Sequence, residues 1–477
     1  MFNHSRRQFL GQAAGLASAT ALGMPALSQS SRPPNIVFIM ADDLGYGDLG
    51  CYGQTKIRTP NIDRLAAEGL RFTDAYAGCT VCAPSRSCLM TGNHMGHTSV
   101  RGNTGGQSLT ESDVTMAMVL KQAGYATGGF GKWGLGDLGT PGVPTRKGFD
   151  EFVGYLHQVH AHNYYPKVLV ENEGLLPLPG NDGRRGTTYS QDVITERALA
   201  FIERNQRQPF FCYFPSTMPH WELLVPEDSF QEYRGKFPEK SFSRPNSRYA
   251  DQPEMRAAYA AMVTRLDREV GRLVELVRKI GQEDNTLFVF TSDNGGALGI
   301  LGENFFNTNG GFRGHKQNMY EGGIRTPMVA RWPGKVPKGK VNSMPFSFCD
   351  MLPTLAEIAG AKAPEGIDGI SVAPTFLGKK QARKPEWQYW ELPRWIRNEN
   401  RFADEIPMQA ARNGKWKVVR PNPNGPVELY DLSKDRTESN DLAKAQPQVL
   451  ARMEAFMKSA RTPPRSVYEP GKYYWDE

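Results

Sequence analysis

The sequence is 477 residues long, enough for two or three domains of ordinary size or for one large α/β domain with an appendage, and in either case for a sizeable buried core. Its formal net charge of +7 comes from basic residues dispersed along the chain rather than gathered in a stripe with interleaved aromatics, which argues against nucleic acid and gives only a weak preference for anionic substrates. Six cysteines are too few for a disulfide framework at this length, and no run of about eighteen uninterrupted apolar residues supplies a membrane anchor.

Residues 1–28 read as an export signal. Arg6-Arg7 is followed by the apolar pair Phe9-Leu10, a short small-residue apolar run from Ala13 to Leu22, and Ala26-Leu27-Ser28 as a cleavage region. The expected route is twin-arginine (Tat) export to the periplasm or the exterior.

Four short apolar runs follow: Asn35–Met40, Tyr125–Phe130, Pro209–Phe214 and Thr286–Thr291. Their continuous rather than alternating apolar character predicts strands buried on both faces, as in a parallel sheet covered by helices. Between them, the segment after Thr59 opens with a proline and stops at a glycine. A second helix is expected from a capping-box pattern at Thr110 to Asp113, and a long amphipathic one ends near Gly281. The predicted architecture is a doubly wound α/β fold.

Ligands of open α/β sheets bind beyond the carboxyl ends of the strands. The first run leads into Asp42-Asp43, the second into Lys132, the third into a loop carrying His220, and the fourth into Asp293-Asn294. Either acidic pair alone would be an ordinary turn or cap. Two pairs on separate strands suit a hard divalent cation, which takes several oxygen ligands. Two G-x-G-x-x-G matches, Gly45 to Gly50 and Gly134 to Gly139, are expected to be loops because no helix begins after them. Cys79-x-x-Cys82 as a redox pair or zinc half-site is disfavoured, since no second such pair exists.

Cys82-Ala83-Pro84-Ser85-Arg86 resembles the C-x-P-x-R signature of formylglycine-dependent (type I) sulfatases, a family within the alkaline phosphatase superfamily. The resemblance extends over nearly the whole chain after residue 33, through the segments 34–50, 59–77, 131–136, 292–296, 313–327 and 428–443. It implies an alkaline-phosphatase-like mixed, mostly parallel sheet between helices, with a catalytic domain over residues 33–377 and a smaller C-terminal α+β subdomain on an antiparallel sheet over 378–477. It also implies hydrolysis of aryl or carbohydrate sulfate esters, and a sulfatase-maturating enzyme that converts Cys82 to formylglycine. Ca²⁺ is the implied cation, with Mg²⁺ as the alternative, held by Asp42, Asp43, Asp293, Asn294 and the modified Cys82.

The implied roles are chemically coherent. Hydrated formylglycine is a geminal diol: one hydroxyl attacks sulfur and the other expels sulfate. Arg86 would hold the diol, Lys132 and Lys316 would neutralise sulfate oxygens, and His220 would protonate or hydrogen-bond the leaving alcohol. Many family members carry histidine two residues after the first lysine, where this chain has Gly134. His157, His160, His162 and His315 are candidate replacements, and His97 and Arg101 are candidate substrate contacts. Two other readings are a phosphomonoester or phosphodiester hydrolase of the same superfamily, which a second metal pair would favour, and an inactive carbohydrate-binding relative, which the full set of site residues opposes.

Overall fold

The computed structural model describes residues 32–466, apart from 104, 244–248 and 397. The expected export signal lies outside the described residues. Four parallel strands run side by side, Thr286–Ser292, Asn35–Ala41, Phe210–Pro215 and Ala126–Lys132, each ending one or two residues past the apolar run that predicted it. Glu151–Tyr155 extends the parallel set. Antiparallel pairings then continue both flanks of a ten-stranded sheet: Met328–Arg331 and Leu70–Phe72 on one side, with Lys340–Asn342 parallel to the latter at the edge, and Val168–Glu171 and Gly174–Pro177 on the other.

Both faces of this sheet are buried, and the two-residue period of a strand divides its side chains between them. Ile36, Phe38 and Met40 pack into one apolar core together with Phe211, Tyr213, Leu287 and Val289. Val37, Ile39 and Ala41 pack into the other, with Phe210, Cys212, Phe214, Phe288 and Phe290. The long helix Met255–Lys279 covers the second face, and the helices Cys82–Thr91 and Met351–Ala359 cover the first. The architecture is therefore the expected alkaline-phosphatase-like α/β sandwich.

Pro60–Ala67 is helical as predicted, with its proline at the first position. The capping box at Thr110 is not a helix start. Thr110 N–H and Oγ1 donate to Asp113 Oδ2 at 2.6 and 2.9 Å, closing a local turn, and the helix begins at Met116 with Thr115 Oγ1 accepting from Met118 N–H. Both glycine-rich matches are loops. In the second, Gly134, Gly136 and Gly139 adopt φ of +80°, +159° and +85°.

After Leu377 the chain builds a four-stranded antiparallel sheet, Trp387–Leu392, Met408–Asn413, Trp416–Arg420 and Glu428–Asp431, with the helix Pro447–Ser459 against it. No helix among the described residues is long and apolar enough to cross a membrane.

Candidate active site

The strand ends converge on Cys82. Adjacent residues of a strand point to opposite faces, so Asp42 and Asp43 reach one site only because Asp43 turns into the left-handed region at φ +65°, which aspartate tolerates better than most side chains. Asp43 N–H then donates to Asp293 Oδ1 at 3.1 Å, joining the first strand end to the fourth. Val81 is extended and Cys82 opens the helix Cys82–Thr91, with Pro84 in its first turn, where a missing N–H costs little. Asn103 Oδ1 accepts the Ala83 N–H at 2.9 Å, a cap supplied from twenty residues further on.

The Cys82 thiol lies 3.2 Å from Asp42 Oδ1, 3.8 Å from Asp43 Oδ1 and 3.5 Å from Lys316 Nζ. Lys132 Nζ is 2.6 Å from Asp42 Oδ2, Lys316 Nζ is 2.7 Å from Asp43 Oδ2, and His220 Nε2 is 3.3 Å from Asp43 Oδ2. All these groups are buried, as are Asp293, Asn294 and Arg86. Arg86 is buried among the strand ends, with Nη2 3.8 Å from Asp42 Oδ2. Its Nε and Nη2 donate to Asp293 Oδ2 at 3.1 and 2.7 Å, and Nη1 donates to the Lys132 carbonyl at 2.5 Å. It braces one acid and one strand end from behind.

Burial, with Asp293 and Asp42 next to it, pushes the Cys82 thiol well above its ordinary pKa, against the opposing pull of Lys132 and Lys316. Burial also raises the Asp293 carboxyl, and Asp42 adds to it against the opposing pull of Arg86. For the two lysines burial works downward, yet Asp42 beside Lys132 and Asp43 beside Lys316 outweigh it, and both stay charged. Burial and then the cationic Lys316 and Lys132 hold His220 well below the usual histidine range.

The donor set suits a hard cation. Asp42, Asp43, Cys82 and His220 each bring a ligand atom within 4.8 Å of the others. Asp293 lies beside them with Oδ1 on the Asp43 N–H and Oδ2 on Arg86, and Asn294 Oδ1 is buried with no hydrogen-bond partner among the described residues, the state expected of an oxygen reserved for a ligand. A sulfur partner for Cys82 is not needed: all six cysteines are free thiols, and Cys79 Sγ turns away to the Glu391 carbonyl at 3.5 Å.

The remaining candidates separate. His162 reaches the site, its ring stacked on His220 with centroids 4.0 Å apart and its Nδ1 2.9 Å from the Tyr249 hydroxyl. His160 is buried edge-on against Tyr155, and burial, with His157 nearby, pushes its pKa down to about 3. His157 is buried too. His315 follows the backbone, with Nδ1 2.8 Å from the Lys316 carbonyl. His97 pairs with Asp368 at 2.9 Å, in a group with His94 whose ligand atoms lie within 4.8 Å of one another, and Arg101 donates to Glu391 and to the carbonyls of Gly96, Thr98 and Thr462, tying that loop to the C-terminal segment. Sequence reasoning missed Asn103 and Tyr249: Asn103 lies in a glycine-rich loop whose partner only the fold reveals, and no local signal marks Tyr249.

The chain matches the family model described as Sulfatase over residues 34–361, and the one described as N-sulphoglucosamine sulphohydrolase, C-terminal, over residues 311–462. It is 34% identical to arylsulfatase A of Homo sapiens over 93% of this chain and 89% of that protein. It is 31% identical to N-acetylgalactosamine-6-O-sulfatase of Bacteroides thetaiotaomicron over 91% of this chain and 94% of the relative. Among solved structures, Ps i-CgsB in complex with k-i-k-neocarrahexaose superposes with a TM-score of 0.75 at 31% identity, covering 93% of this chain and 95% of that one. The chain belongs to the sulfatase family of the alkaline phosphatase superfamily, enzymes that hydrolyse sulfate esters.

Proposed function

We propose that this sulfatase is exported, carries Cys82 as formylglycine, uses Ca²⁺ and removes sulfate from carbohydrates. The observation that carries the reading is the placement of Cys82: a buried side chain at a helix start, ringed by two carboxylates and a lysine, in a setting that suppresses its thiolate. Burial disfavours the thiolate there, whereas a hydrated aldehyde on the same side chain has a hydroxyl to offer.

When bound, the cation supplies charge to offset the acidic oxygens and Lewis-acid polarisation. The chain's own groups do the rest. Asp42, Asp43, Asp293 and Asn294 hold the cation, and Arg86 keeps Asp293 aimed. Lys132 and Lys316, both charged, stand on either side of Cys82 and balance the anionic sulfate oxygens as they develop charge. His220 Nδ1–H is spent on the Trp221 carbonyl and its Nε2 faces the site, so serving the leaving oxygen as a donor there requires the imidazole to take up a proton at Nε2. The helix start behind Cys82 favours an anion there.

The carbohydrate assignment rests on a relative named N-acetylgalactosamine-6-O-sulfatase and on the neighbour solved in complex with k-i-k-neocarrahexaose. It is tested with the Ca²⁺-loaded protein, co-expressed with a maturation enzyme, on a panel of sulfated mono- and oligosaccharides, aryl sulfates and phosphate monoesters. Sulfate release from at least one saccharide with at least tenfold preference over its phosphate counterpart is expected, and Cys82→Ala is expected to abolish it. Phosphate esters as the preferred substrates would overturn the reading. Export is tested separately: Arg6→Lys with Arg7→Lys should leave the protein in the cytoplasm, and unchanged export would reject the twin-arginine route.

A further inference from the structure

The segment that follows the strand Glu151–Tyr155 runs beside the end of the strand Ala126–Lys132. The ladder continues past Lys132, with Trp133 N–H donating to the Tyr155 carbonyl at 2.8 Å and Gly134 N–H to the Leu156 carbonyl at 2.9 Å. That register places Gln158 against Gly134. A Cβ at Gly134 would lie 2.1 Å from Gln158 Nε2, so the glutamine amide occupies the space a side chain at residue 134 would take.

Gln158 is 2% exposed, and both its Nε2 and its Oε1 lack a hydrogen-bond partner among the described residues. A buried primary amide with neither end paired is costly and uncommon. The neighbouring contacts lead back to Cys82 on two sides. On one, Gly134 lies two residues beyond Lys132, whose ammonium meets Asp42, the carboxylate 3.2 Å from the thiol. On the other, His157 packs against Gly105, in the loop from which Asn103 caps Ala83, the residue after Cys82.

We infer that Gln158 is a substrate-contacting residue: its amide donates a hydrogen bond to the sulfate group held at Cys82, from the side left open by Gly134. The inference rests on the reading of the Cys82 pocket as the sulfate site. An amide can donate to a sulfate oxygen but cannot take a proton at neutral pH, so Gln158 fills the space of a residue-134 side chain as a binding group and not as a base. It also accounts for the unpaired Nε2, whose partner is the substrate.

The test uses the Ca²⁺-loaded protein with conversion of Cys82 verified by mass in every variant. Gln158→Leu and Gln158→Glu are compared with wild type in kcat/KM for 4-nitrophenyl sulfate, in Kd for inorganic sulfate by calorimetry, and in Tm. Expected for Gln158→Leu is a loss of about 10- to 100-fold in kcat/KM and a rise of about fivefold or more in the sulfate Kd, with Tm unchanged or raised because an unpaired buried amide has been removed. Gln158→Glu, of nearly the same volume, should lose more in both, as its charge opposes the anion. Should Gln158→Leu fail to fold, Gln158→Glu decides by the same two readouts. Values within threefold of wild type, or a lowered Tm with unchanged kinetics, would overturn the inference and leave Gln158 a packing residue. A converted wild type that binds sulfate but turns over no sulfate ester overturns the sulfatase chemistry alone, and the Kd comparison still decides Gln158. A wild type that binds no sulfate overturns both.

Discussion

Gly134 occupies φ +80°, a conformation that L side chains rarely adopt, and Gln158 stands where its Cβ would be. Gly134→His introduces the histidine that the sulfatase resemblance implies two residues after Lys132, yet here it meets both backbone strain and a collision. It should destabilise the protein by about 1–3 kcal/mol in denaturant titration and lower turnover; faster turnover at unchanged stability would show that the loop adapts. The three histidines nearby also divide by contact. His162 alone among them stacks on His220, so His162→Ala should lower kcat/KM about tenfold by freeing that ring, and a change below threefold would assign the stack to packing only. At this scale the sequence was informative wherever a functional residue ends an apolar run. Asp42, Lys132 and Asp293 could be read in that way, and so could the absence of a side chain at residue 134. Arg86 could not, because its partners Asp293 and the Lys132 carbonyl are contributed by two other strand ends, and Gln158 could not, because its position depends on the register between two strands.

The buried strands were legible because a parallel sheet covered on both faces demands continuous apolar runs, and each of the four runs became a strand. The helix expected at Thr110 failed for a local reason: Asp113 bonds back to Thr110 and closes a turn, and Thr115 supplies the cap instead. The loop Gly134 to Gly139 carries a different consequence. Its Asp137 is buried, and burial alone pushes the carboxyl up to about 7. The folded state thus binds a proton that the unfolded chain releases near pH 4, so the stability contributed by protonated Asp137 is full below about that pH and is lost as pH rises through about 7. Asp137→Asn should flatten this decline and make the protein more stable than wild type at about pH 8, measured by urea midpoints from about pH 4 to 8. A wild-type slope that persists in Asp137→Asn would place the titrating group elsewhere.

The C-terminal sheet joins the short helix Glu321–Ile324, which precedes the strand Met328–Arg331, through buried charge. Lys417 Nζ lies 2.9 Å from Glu321 Oε1 and 2.7 Å from Glu438 Oε1, all three fully buried, and Arg325 pairs with Glu321 at 2.5 Å. Lys417→Met leaves Glu438 without its cation and should cost about 3–5 kcal/mol in unfolding free energy; a cost under about 1 kcal/mol would show that the network is dispensable. No local pattern in the sequence marks this joint, because its members come from segments far apart in the chain. Metal removal acts on the neighbouring strand ends, where Gly295 N–H donates to the Gly323 carbonyl at 3.0 Å. With Asp42, Asp43 and Asp293 brought together, chelation should abolish activity and lower Tm, and Ca²⁺ should restore both; full activity after chelation would reject the cation. The central claim is that Cys82 acts only after conversion, and peptide mass spectrometry on graded preparations tests it most directly. The Cys82 tryptic peptide should appear about 18 Da lighter in a fraction that rises with the supply of maturation enzyme, since a thiol becomes an aldehyde, and sulfatase turnover should scale with that fraction through the origin. Full turnover in a preparation whose Cys82 is entirely unmodified thiol would contradict it.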